Sequence, residues 1–148
     1  MDAINQFISR NQLRQADVIV LKKKLFGMVD HFAVFLGWHA DTGIPLFAAN
    51  YTKGTQIVQQ KELLIFLHTL IPVRVERFIG SEHQRQFAVQ RALSRIGAND
   101  YNYFTNNCEH YKNFVQTGVP HSEQAEQFGK GVALGAVFLL FAALLNEG

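Results

Sequence analysis

His31-Phe32-Ala33-Val34-Phe35-Leu36-Gly37 is apolar at five consecutive positions between a histidine and a glycine. A half-exposed strand would alternate, so this run predicts a central strand buried on both faces. The neighbouring sequence is punctuated to match. Asp41-Thr42-Gly43 is a turn signal, Ile44–Tyr51 reads as the return strand, and Thr52-Lys53-Gly54 closes it. Upstream, Ala16-Asp17-Val18-Ile19-Val20-Leu21 is a strand rich in β-branched residues, followed by a basic loop, Lys22-Lys23-Lys24, with the apolar tip Leu25-Phe26-Gly27. Thr55–Gln59 and Val73–Phe78, after Pro72, are two further short strands. Lys61–Leu70 fits a helix or a strand. Asp2–Arg10 is a short helix or a frayed end.

Two helices are signalled by their ends. Ser81 caps Ser81–Ile96, in which Phe87, Ala88, Arg91, Ala92 and Ile96 fall near helical spacing, and Gly97 ends it. Asn99–Asn107 is a polar and aromatic loop. A second helix runs from Cys108 to about Thr117, with Asn107 as N-cap and Gly118 at its end. After the polar segment His121–Lys130, Gly131–Leu145 carries no charge for 15 residues. As a helix this run spans about 22 Å against a hydrocarbon core of about 30 Å. It is apolar all round, which favours a membrane-inserted tail over a helix packed on the domain. Extended back through Phe128, with Lys130 snorkelling, it approaches spanning length. The organisation expected is one domain over residues 1–120, then a polar linker and apolar tail helix over 121–148.

Composition narrows the function. The chain has 148 residues, 48% hydrophobic and 18% charged, with 13 Phe, which is enough for one domain with a core that needs no disulfide. A net charge of +2 gives no footprint for nucleic acid. Zinc-type spacing and a glycine-rich phosphate loop are both missing, so neither a metal nor a cofactor is called for. Met1–Arg14 is polar and lacks the apolar core of a secretory signal.

The single cysteine, Cys108, stands in the first turn of its helix. Unpaired N–H groups there favour a thiolate and can stabilise an oxyanion. A base must come from elsewhere in the chain. His110 is two residues along the same helix and points to another side, so it reads as structural. His31 opens the buried strand, where a side chain is rigidly held. His39 sits at a hairpin tip, and His68, His83 and His121 have no acid–base context.

Asn107-Cys108-Glu109-His110-Tyr111 resembles the Asn-Cys-Glu-His-Phe signature of the lecithin:retinol acyltransferase-like family, which includes the H-Ras-like suppressor phospholipases and acyltransferases. Ala16-Asp17-Val18-Ile19 resembles its Gly-Asp-(Leu/Val)-Ile strand. His31–Gly37 resembles its His-Trp-(Ala/Gly)-Ile-Tyr-(Val/Leu)-Gly strand, and Tyr101–Thr105 its aromatic lead-in to the cysteine. The apolar tail recurs in several animal members as a membrane anchor, so the resemblance covers roughly Ala16–Leu145. It implies an α+β, circularly permuted papain-like fold, with an antiparallel sheet carrying the histidine first and the cysteine helix after it. It also implies a thiol mechanism. His31 takes the proton of Cys108, the thiolate attacks a glycerophospholipid acyl ester, and water or a second acceptor clears the acyl-cysteine. Where many members have a second histidine, this chain has Asn50. An Asn can orient the imidazole through its side-chain carbonyl, as in papain-like Cys-His-Asn sites, with His39 in reserve if the register slips.

Three functions follow as expectations. The first is a phospholipid acyltransferase or phospholipase at the cytoplasmic face of a membrane, with the three lysines adding on the order of 1 kcal/mol each at an anionic surface. The second is a cysteine amidase or peptidase. The third is a non-catalytic, membrane-associated interaction protein.

Overall fold

The computed structural model describes residues 3–23, 30–102, 105–123 and 125–132. Its elements are α1 (Ala3–Arg10), β1 (Val18–Lys23), β2 (Asp30–Trp38), β3 (Pro45–Tyr51), β4 (Gly54–Val58), α2 (Gln60–Thr69), β5 (Leu70–Glu76), α3 (Glu82–Ser94) and α4 (Cys108–Thr117). The strands form one sheet in the order β4-β3-β2-β1-β5, antiparallel at every junction. The fold is α+β, with the apolar run of β2 in the middle position that its composition predicts.

Strand alternation sorts the core into two layers. Val18, Val20, Phe32, Val34 and Leu36 face Ala88 and Ala92 of α3 and Cys108, Tyr111 and Val115 of α4. Ile19, Leu21, Ala33, Phe35 and Phe47 face Ile4 and Ile8 of α1 and Leu63 of α2. Each such side chain taken from water contributes about 1.5–3 kcal/mol, so a sheet covered on both faces is stable without cross-links.

Several expectations needed the third dimension. Lys61–Leu70, open between helix and strand, is helix α2 up to Thr69, and Leu70 begins β5. Pro72 lies inside β5, which an edge strand tolerates because one side needs no ladder donor. Lys22 and Lys23 belong to β1 and not to a loop, since β1 continues pairing through Lys22↔Asp30 and Lys23↔Leu70. The apolar tip Leu25-Phe26 lies outside the described residues. The buried stripe of α3 is Arg85, Ala88 and Ala92, while Phe87 and Ile96 are exposed. The stretch taken as a polar linker is helical over residues 125–132. Most of the apolar tail, from residue 133 onward, lies outside the described residues, and no described helix is long and apolar enough to cross a membrane.

Arg85 is buried because Asp17 meets it. The Asp17 carboxylate accepts the backbone N–H of Phe78 and of Arg14, both at 3.0 Å, and pairs with Arg77 at 2.8 Å and Arg85 at 3.3 Å. The residue just before β1 therefore ties together the chain ahead of it, the β5–α3 connection and α3. Burial pushes the Asp17 carboxyl up, but these four bonds outweigh it and hold it below its ordinary 3.8. Glu76 behaves alike. Burial raises it, and Lys112 and Arg74 bring it below 4.5. Both groups bind fewer protons folded than unfolded, so their stabilisation is complete above about pH 5 and is lost as pH falls through the lowered folded values. Melting temperature is expected to drop on acidification below about pH 5, less steeply in Asp17→Asn than in the parent.

Gly54 opens β4 at φ +102°, where a Cβ would collide with the Ala98 carbonyl. That close approach lets Thr55 exchange backbone bonds with Ala98 at 2.9 Å and Gly97 at 2.8 Å. The start of the loop leading to Cys108 is thereby fixed to the sheet edge.

Candidate active site

The first turn of α4 is built by its own sequence. Asn107 is the N-cap, and its side-chain oxygen accepts the N–H of Glu109 at 2.9 Å and of His110 at 3.0 Å. His110 Nδ1 accepts the Asn107 N–H at 3.3 Å, so a histidine takes the place of the Glu or Gln of a capping box. Gly118, at φ +83°, closes the helix in the left-handed conformation. His110 is thus a structural residue, as its position predicts. Its burial lowers its pKa, with Glu109 opposing.

Cys108 follows the cap and is buried. The backbone N–H groups of Phe32, Cys108 and Glu109 all favour the thiolate. The Phe32 contact follows from the sheet register. Phe35 N–H bonds to Asp17 on β1, so the amides of alternate residues, Val34 and Phe32, face β3 instead. Pairing of β2 with β3 begins only at Val34↔Ala48. Phe32 N–H therefore faces β3 beyond the paired stretch, where it is left to act on the Cys108 thiol. Cys108 belongs to the core layer that α3 and α4 form with Phe32 and Val34. Tyr51, packed with the opposite core layer, is close enough for a Cys108 thiolate to raise its pKa, after burial and together with Glu62.

The helix N-terminus does not by itself yield a thiolate. Burial dominates and pushes the Cys108 thiol up from 9.0 to about 11, and the Glu109 charge adds to this against the three amides. The amides at the helix start do lower the value, but desolvation outweighs them. A protonated resting thiol must give up its proton to a base as it attacks.

His31 is the second residue of β2, opposite Leu21, half-buried and adjacent in sequence to Phe32, whose amide acts on the thiol. Asn50, the penultimate residue of β3, is 2% exposed. Its Nδ2 donates to the Asn106 carbonyl at 3.0 Å, to Asn106 Oδ1 at 3.3 Å and to the Asn107 carbonyl at 3.3 Å. Asn50 thus clamps the loop before Cys108, while its own Oδ1 is buried without a hydrogen-bond partner. His39 is exposed beyond the far end of β2, roughly 25 Å from His31 at strand rise, and does not stand in for Asn50. No group of three or more metal-ligating side chains is gathered among the described residues. Two neighbours escaped the sequence reading. One is Tyr51, which nothing local marks. The other is Ser122, a helix-start serine that a search for caps would have found.

Among known protein families, the lecithin retinol acyltransferase model matches residues 11–121. The chain belongs to that family. The match runs from before β1 to just past α4 and takes in Cys108, His31 and Asn50. No curated protein matches the chain. Members of the lecithin retinol acyltransferase family are typically enzymes of the acyltransferase or phospholipase type, with lipid acyl groups as substrates. Asn50 lies within the matched residues, and its side chain clamps the loop before Cys108.

Proposed function

We propose that this protein is a thiol-dependent acyltransferase or phospholipase that cleaves glycerophospholipid acyl esters through an acyl-cysteine intermediate. The observation that supports the reading is the buried Cys108 at the capped start of α4, packed against β2 at Phe32, the residue after His31. His31 is the base. It accepts the thiol proton as sulfur attacks the ester carbonyl, then returns it to the leaving lysophospholipid alkoxide. Water or an acceptor hydroxyl or amine next attacks the thioester, again with His31 taking the proton, and the thiol is regenerated. Asn50 orients the imidazole, for which its unpartnered Oδ1 is a ready acceptor. The sheet-first, cysteine-helix-later order supports the permuted papain-like arrangement that this reading takes the fold to be.

The substrate lies in a bilayer, so we place the enzyme at the cytoplasmic face of a membrane, held there by the apolar segment after residue 130. The working unit is residues 1–120, with 121–148 as the attachment. No metal, cofactor or nucleic acid enters the scheme.

The test is turnover of mixed phospholipid vesicles. His31→Gln is expected to lower the rate by about 10²–10⁴, the usual worth of a positioned base, with the melting temperature unchanged. Asn50→Ala is expected to lower both rate and melting temperature, because it removes the orienting oxygen and the loop clamp together. Full activity in His31→Gln would reject the mechanism.

A further inference from the structure

The cap of α4 is itself held by a second cap. Ser122 precedes the helical residues 125–132, its hydroxyl accepts the Ala125 N–H at 3.1 Å, and its carbonyl accepts the Glu126 N–H at 3.1 Å. The same hydroxyl accepts Nδ2 of Asn107 at 3.1 Å and donates to Glu109 Oε2 at 2.5 Å. One donor and two acceptor positions are all a serine hydroxyl has, and all three are used. Ser122 is 1% exposed, and Asn107 and Glu109, the residues on either side of Cys108, are 4% and 7% exposed. Nothing in this junction is free to exchange with water.

We infer that Ser122 is a positioning residue for Cys108, holding Asn107 and Glu109, and with them the first-turn amides and the sulfur between, in one arrangement. The consequence lies on both sides of the nucleophile. Without the hydroxyl, the Asn107 amide loses the acceptor that fixes its rotamer. The same rotamer presents Asn107 Oδ1 to the Glu109 and His110 N–H groups. Glu109 loses a charge-assisted donor within a buried pocket, and its carboxylate is then less tightly held beside the thiol. The junction also couples the sulfur to the C-terminal helix, so that displacement of residues 125–132 reaches the nucleophile through a single hydroxyl. The inference rests on Cys108 being the nucleophile of the proposed reaction, but its geometry does not depend on the substrate.

Alkylation of Cys108 by iodoacetamide across a pH series reads thiol reactivity without any lipid. The titratable groups around the sulfur are Glu109, His110 and Lys112 on its own helix, His31 beside the Phe32 amide, Tyr51 on β3, and Glu76 of β5 through Lys112. Their identities stay constant across the series of variants. In Ser122→Ala the midpoint of alkylation is expected to rise by about one pH unit, making the rate at neutral pH about tenfold lower. Ser122→Thr, which keeps the hydroxyl, is expected to restore the parent profile. Ser122→Gly removes the hydroxyl but leaves a residue that helix starts accept, and covers the case in which alanine fails to fold. A lowered melting temperature with an unshifted profile in folded Ser122→Ala or Ser122→Gly would mean a structural cap only, and would overturn the inference. Failure of the acyl-cysteine reading would show differently, as an unacylated parent protein with an intact Ser122-dependent alkylation profile.

Discussion

Cys108→Ser is expected to reduce phospholipid turnover by at least about a thousandfold, to the floor of the assay, while the protein melts where the parent does. The two halves of this result have separate causes. Serine is close to isosteric, and the position is a buried helix start where a hydroxyl can meet the same backbone N–H groups as the thiol. Folding should not notice the change. Chemistry should, because a thiol even at about 11 lies within reach of an imidazole during attack, whereas an alcohol lies several units higher. An alkoxide also lacks the soft nucleophilicity of sulfur. The residual rate distinguishes mechanisms. If activity survives in Cys108→Ser but not in His31→Gln, His31 is activating water directly and no covalent intermediate exists. Initial rates on vesicles, with melting curves on the same preparations, measure both halves.

Asp17→Ala is expected to be the most destabilising single change in the described fold. It removes one acceptor from four donors at once and takes from Arg85, with a side chain 6% exposed, its buried counter-charge, leaving the Gln15 carbonyl and the more distant Glu82. Breaking a buried pair from one side costs about 3–5 kcal/mol, a large share of the 5–15 kcal/mol typical of a domain. At this chain length the melting temperature should fall by about 10 °C or more. The same network sets an internal control. Arg77 is half exposed, so Arg77→Ala should cost no more than about 1 kcal/mol. Equal effects of the two substitutions would show that the Arg77–Asp17 pair, and not the burial of Arg85 against Asp17, carries the energy.

Elements whose signals are local were legible in the sequence. Asn107 and Gly118 bracket α4 because a cap and a left-handed stop act within one turn, and the apolar run from Phe32 to Leu36 fixed β2 in the middle of the sheet. Features decided by distant partners were not legible. Lys61–Leu70 is short and apolar enough for either period, and its packing near α1 and β5 settles it as α2. Lys22 and Lys23 have the chemistry of a loop, yet they carry the ladder because β5 and β2 supply neighbours. At the candidate site the cysteine helix was clear, but the desolvation of its thiol was not. A helix start favours a thiolate through amides within one turn, while desolvation comes from β2 and β3, far away in sequence. Asn50 has its amide committed to the Asn106–Asn107 loop and its oxygen left over, which only the fold reveals. The Ser122 junction joins two caps that are each readable alone, and only the fold brings them together.

Intact-mass spectrometry of the full chain after brief exposure to phospholipid vesicles, followed by peptide mapping, reaches the covalent step directly. One fatty acyl group should appear, confined to the peptide containing Cys108 and released by hydroxylamine. A protein that consumes the lipid yet never carries that mass, or carries it on another residue, would contradict the account.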